Sequence, residues 1–170
     1  MNKGNTKRKY LAWHILVLVW MVVIFMFSAQ QGEASSDISG SVTHVLVTLV
    51  NRIFTIGWDE IKVLEIAGMI EYPIRKLAHM TEFGILSLLV FGATDAYQKV
   101  RDTKWCYVIA FGVTFLYAGT DEIHQLFVPN RYGCFTDVLI DALGAVIALL
   151  MLAGILALLK KFKNKKRIKE

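Results

Sequence analysis

The chain has 170 residues, of which 55% are hydrophobic, with a mean hydropathy of +0.49 and only two prolines, and it reads as a membrane protein. Its net charge of +5 comes from 19 Lys and Arg against 14 Asp and Glu. The basic residues gather at the two ends and in one loop, which argues for membrane anchoring and against a nucleic-acid partner.

Four segments have the roughly 20 apolar residues that cross a hydrocarbon core. They lie at about 10–28, 75–97, 105–126 and 137–159. The first follows Lys3, Lys7, Arg8 and Lys9 and ends at Phe27-Ser28-Ala29-Gln30-Gln31, whose polar groups stop the helix at an interface. A basic start and small residues near Ser28 also resemble a cleaved signal peptide, but the apolar stretch is longer than a signal core.

An outer segment, 29–74, comes next. Ser35, Ser36 and Asp37 offer helix caps, and Ile38, Val42, Val45, Leu46 and Leu49 recur at spacings of three and four. This predicts an amphipathic helix on the outer leaflet. A second short helix is expected from Asp59 to Met69, with Ile61, Leu64 and Ile66 or Gly68 packing down. A segment of this length either caps the bundle or gates a substrate.

The second span is predicted to enter at Pro73, a good helix-start residue. Arg75, His79 and Glu82 then share one helix face, with Lys76 beside them. In the third span an apolar run gives way to Asp121-Glu122-Ile123-His124-Gln125, with Tyr117, Asp121, His124 and Gln125 on one face. A charge at the bilayer centre costs roughly 2.5–3.5 kcal/mol on insertion scales, so this knot must face a protein interior, an aqueous pocket or the interface. The short 127–136 loop carries Arg131, and Asp137 and Asp141 are one turn apart at the start of the fourth span.

Orientation follows from the remaining basic residues. Lys99, Arg101 and Lys104 lie between the second and third spans, and seven more follow the fourth from Lys160 onward. Only Arg52, Lys62, Arg75, Lys76 and Arg131 are left for the other side. The positive-inside rule then places both termini and the 98–104 loop in the cytoplasm. The expected fold is an all-α integral membrane protein of four transmembrane helices, N-in and C-in. No repeat or linker divides it, so it reads as one domain. Cys106 and Cys134 would lie near opposite faces, too far apart for a disulfide.

In this topology three helices bring ionisable groups to one level in the outer half of the membrane, whereas the inner halves carry only Asp95. Arg75, Lys76 and Arg131 are the natural partners of Glu82, Asp121, Glu122, Asp137 and Asp141 in a water-accessible pocket. His79 and His124 each stand three residues from a carboxylate, a spacing suited to proton transfer. His14 and His44 are isolated and read as structural. The His-x-x-Glu and Asp-x-x-His pairs resemble di-metal bundle ligands, yet cations sharing the pocket disfavour a divalent ion, so no metal or other cofactor is expected. No Gly-rich phosphate loop, nucleophile elbow or zinc-protease pair of histidines is present.

Phe27-Ser28-Ala29-Gln30, Arg75-Lys76-x-x-His79-x-x-Glu82, the run from Tyr117 through Asp121-Glu122-x-His124-Gln125 to Arg131, and Asp137-x-x-x-Asp141-x-x-Gly144 together resemble the VanZ-like family of small bacterial membrane proteins. The resemblance covers about 12–155 and implies a multi-pass protein of the bacterial plasma membrane. The family's name-giving member is associated with lower susceptibility to teicoplanin, but no biochemical activity comes with the resemblance.

The leading expectation is an envelope protein with an outer-leaflet pocket that binds or modifies an amphiphilic anionic ligand. That ligand would be a lipid-linked envelope intermediate or a lipid-tailed glycopeptide, with membrane lipids as its surroundings. Arg75, Lys76, Arg131, Gln125, Asp137, Asp141, Ser28 and Gln30 would form the binding set. In an enzymatic version His79, Glu82, Asp121, Glu122 and His124 would do acid–base work. A proton-coupled carrier or flippase is disfavoured by the absence of an inverted repeat. A structural protein that positions envelope enzymes is the third class.

Overall fold

The computed structural model describes residues 3–30, 32–97 and 103–167. Lys99 and Arg101 of the predicted inner loop, and Lys169, lie outside them. The described residues form five α-helices: α1 (Lys3–Ser28), α2 (Gly32–Ile53), α3 (Glu60–Asp95), α4 (Lys104–Gln125) and α5 (Phe135–Arg167). No strand occurs among the described residues.

Among the described residues three helices are long and apolar enough to cross a membrane: Tyr10–Ser28, Glu60–Asp95 and Phe135–Lys165. The sequence reading expected four. The 105–126 span is helical as predicted, as α4, but it is not among these three, and its last turns carry Asp121, Glu122, His124 and Gln125.

The distribution of side chains is that of a helix bundle in lipid. Leu11, Ile15, Leu18, Val22 and Met26 expose a continuous apolar stripe along α1, while the interior is made of small or polar residues such as Ser28, Ser87, Thr114, Ala118 and Ala145 around Ile24, Phe83 and Leu86. Water would drive the large side chains inward; in lipid they gain nothing by burial, and close backbone approach takes over.

α3 is central and packs against every other helix. Its contact with α5 is the tightest. A methyl group added at Gly144 would overlap the Met80 carbonyl oxygen and lie 2.8 Å from the Met80 carbonyl carbon, and one added at Gly84 would lie 3.3 Å from the Gly144 oxygen. Trp20 Nε1 donates to the Glu82 carbonyl at 2.9 Å, and Tyr117 Oη donates to the Met21 carbonyl at 2.6 Å, fixing α1 against α3 and α4.

The 29–74 segment departs from prediction in two ways. First, α2 begins at Gly32, so Ser35, Ser36 and Asp37 lie within it rather than capping it. The helix itself has the expected exposed stripe of Ile38, Val42, Val45, Leu46 and Leu49, and packs on α3 through Thr43 and Val47. Second, the expected Asp59–Met69 helix is not separate. It continues through Pro73 as one 36-residue helix, Asp59 supplying its cap by accepting from the Lys62 N–H at 2.8 Å. Proline removes one backbone bond, but both flanks are anchored, by Val63 and Ala67 on Val47 and by Phe83, Leu86 and Val90 in the main core. Continuity also fixes which face packs: Val63 and Ala67 are buried, and Ile61 and Leu64 point away. Asn51 pins the α2–α3 turn by bonding both the N–H and the carbonyl of Trp58.

Candidate functional site

A cavity of about 580 Å³ opens where the middle of α3 meets the last turn of α4, the start of α5 and the 126–134 loop. α3 contributes Tyr72, Arg75, Lys76 and His79, which follow one another at helical spacing along a single face. α4 adds Glu122 and Gln125, and α5 adds Asp137 and Asp141. The loop adds Arg131, flanked by Asn130 and Tyr132, and α2 reaches over with Asp37. Asn130 holds a left-handed backbone (φ 59°), which its short polar side chain tolerates and which turns the loop over the helix ends.

The charges are arranged in two layers. In the upper layer Lys76 Nζ forms an ion pair with Asp137 Oδ2 across the α3–α5 crossing. The Tyr72 ring carries both cations of α3, with Arg75 Cζ 5.7 Å and Lys76 Nζ 5.3 Å from its centroid. Arg131 Nε donates to the Gln30 carbonyl at 3.3 Å, which brings the end of α1 into the wall. Burial and the adjacent Arg75 guanidinium both lower the Arg131 pKa from its ordinary value, partly offset by Asp121 and Glu122. Two guanidinium groups therefore repel each other at a partly desolvated wall.

Beneath lies a buried layer. Asp121 is 3% exposed, and its Oδ2 accepts from Ser28 Oγ at 2.7 Å and Gln125 Nε2 at 3.0 Å; its Oδ1 has no hydrogen-bond partner among the described residues. Glu122 Oε2 accepts from the Cys134 N–H at 2.8 Å, tying α4 to the loop. Asp141 is 2% exposed, one turn into α5 from Asp137. Glu82 stands behind His79, its Oε2 3.9 Å from His79 Nδ1, beyond hydrogen-bond range.

The predicted residues thus separate. Arg75, Lys76, His79, Glu122, Gln125, Arg131, Asp137 and Asp141 line the cavity. Ser28, Glu82 and Asp121 support it from behind, and Gln30 takes part through its main-chain carbonyl. His124 is not brought in; its ring lies 4.1 Å from that of Phe25, toward α1. Among the described residues no three His, Cys, Asp or Glu side chains are placed to hold a metal ion.

Tyr72, Asp37, Asn130 and Tyr132 were not anticipated. Tyr72 had a readable signal, three and four residues before Arg75 and Lys76, but a helix start assigned at Pro73 removes it from that face. Asp37 resembles a cap and nothing more.

These motif residues fall inside a match to the family model described as VanZ/LLP1, which spans residues 13–158. The chain belongs to the VanZ/LLP1 family. The match runs from α1 into α5, so in this VanZ/LLP1 chain every cavity-lining residue lies within the family region. No curated protein and no solved structure matches the chain.

Proposed function

We propose that this VanZ/LLP1 protein acts at the bacterial plasma membrane, where its polar cavity binds the anionic headgroup of an amphiphile from the outer leaflet. The topology in this reading has both termini in the cytoplasm, with α4 crossing the membrane beside α3 and α5. The exposed apolar stripe of α2 then rests on the outer leaflet.

The observation that carries the reading is the pairing of Arg75 and Arg131 on one cavity wall. Lys76 is neutralised by Asp137, and the two arginines line the cavity from separate elements, Arg75 from α3 and Arg131 from the loop. An anion between them would relieve their repulsion and meet a planar bidentate donor on each side. A phosphate or carboxylate headgroup suits this wall, and both lipid-linked envelope intermediates and lipid-tailed glycopeptides carry such groups. Lower susceptibility to teicoplanin, as associated with the name-giving relative, is the expected phenotype.

The test is teicoplanin susceptibility of a sensitive Gram-positive host expressing the wild type or an Arg75→Gln, Arg131→Gln double variant at matched membrane abundance. Protection by the wild type that the double variant loses supports the reading. Equal protection by both would remove the arginine pair from the function. His79 offers a catalytic version, since it lines the cavity with Glu82 behind it. In that version His79→Gln abolishes protection while leaving ligand binding intact.

A further inference from the structure

The polar cavity has an apolar neighbour. On the outer face of the α4–α5 pair lies a second cavity of about 510 Å³, walled by Leu116, Gly119, Ile123, Leu126, Phe135 and Val138. Glu122 lines both cavities, so one side chain and the backbone it holds separate them. That partition is close-built: Glu122 Oε2 accepts the Cys134 N–H at 2.8 Å, and a methyl at Gly133 would lie 2.5 Å from the Glu122 carbonyl oxygen.

The groove's dimensions name its occupant. Its α4 side runs from Phe115 to the capping Leu126, eleven helical steps or about 16 Å. One leaflet of a hydrocarbon core roughly 30 Å thick has about that depth. The groove is open along its length because Gly119 has no side chain, and a methyl there meets nothing within 4 Å. It starts at the level of the polar cavity and leads away along α4.

Building on the headgroup reading above, we infer that the groove holds the acyl chain of the same amphiphile whose anionic headgroup lies between Arg75 and Arg131. The site is bipartite, with the chain and headgroup joined over Glu122. Its ligand class is an anionic lipid or lipid-tailed molecule, recognised as a whole rather than as a soluble anion.

Binding to the purified full-length protein in zwitterionic nanodiscs tests this with three probes: glycerol 3-phosphate, lysophosphatidic acid and lysophosphatidylcholine. The wild type is expected to bind lysophosphatidic acid at least tenfold more tightly than glycerol 3-phosphate, and lysophosphatidylcholine weakly. Gly119→Phe fills the groove; it should erase the tenfold advantage while leaving glycerol 3-phosphate affinity unchanged. An advantage that survives Gly119→Phe overturns the groove, as does lysophosphatidylcholine binding equal to that of lysophosphatidic acid. Failure of the underlying headgroup reading looks different: Arg75→Gln with Arg131→Gln would then leave glycerol 3-phosphate and lysophosphatidic acid affinities unaltered, and the inference would fall with it.

Discussion

Replacing Gly144 by Ala and Gly119 by Ala makes the same chemical change on two membrane-bundle helices, with opposite expected signs. At both sites alanine gains about 1 kcal/mol of helix propensity. At Gly119 nothing lies within 4 Å of the added methyl, so that gain stands. At Gly144 the methyl overlaps the Met80 oxygen and sits 2.8 Å from Met80 backbone carbon atoms, where ordinary carbon contacts need about 3.5–4.0 Å. Backbone cannot rotate aside, so α3 and α5 must part by about 1 Å, and overpacking of this kind costs about 1–3 kcal/mol. The two variants should differ by about 1–3 kcal/mol, equivalent to about 2–12 °C in melting temperature for a chain of this size. Thermal melting of both purified variants in one detergent, followed by fluorescence-detected size exclusion, measures it. Gly144→Ala melting at or above Gly119→Ala would refute the close α3–α5 crossing.

Other variants probe the polar layers. Ser28→Ala removes a donor to a buried carboxylate and should destabilise the protein by about 1.5–3 kcal/mol, read as a drop in melting temperature that Ser28→Thr largely avoids. Lys76→Met should destabilise more than the Lys76→Met, Asp137→Asn pair, because the single change leaves Asp137 without its cation; equal melting of the two would argue against the ion pair. Tyr72→Leu should weaken anion binding by about two- to fivefold, the equivalent of about 0.5–1 kcal/mol of cation–π attraction, measured by glycerol 3-phosphate titration. Hydrogen bonds from Thr136 lower the pKa of the exposed Cys134 thiol, so more thiolate persists as pH falls. An impermeant maleimide applied outside whole cells should label Cys134, with Thr136→Val shifting the rate profile to higher pH, and should spare buried Cys106. Labelling of Cys134 only after permeabilisation would reverse the proposed topology.

Spacing made much of the site legible. Residues three and four apart must share a helix face, which placed Arg75, Lys76 and His79 together and Asp137 above Asp141 without any knowledge of the packing. That charged residues from three helices meet was legible too, because charge is costly in lipid and seldom scattered. Which neighbour a face meets was not. Tyr117, Asp121 and His124 do share a face, but it is turned to α1, at Met21, Ser28 and Phe25, which leaves His124 outside the cavity. Proline misled the reading of α3, because local propensity marks a boundary that packing on both sides overrides. On α2 the amphipathic pattern identified a helix and its apolar stripe, while the face that packs, through Thr43 and Val47, depends on α3 alone.

The unbroken course of α3 has a mechanical meaning. At 1.5 Å per residue its 36 residues make a rod about 54 Å long, which exceeds a hydrocarbon core of roughly 30 Å. Its N-terminal end is bound to α2 through the Asn51 clasp and the bond from Ser39 Oγ to Glu71 Oε1 at 2.7 Å; the next turns carry Tyr72, Arg75, Lys76 and His79. A hairpin joined to its cationic wall by continuous helix has no joint at which to bend independently. Whatever leans on the exposed stripe of α2, whether lipid pressure or a neighbouring protein, thereby tilts Arg75 against Arg131 of the loop, and surface load and pocket width become one coordinate.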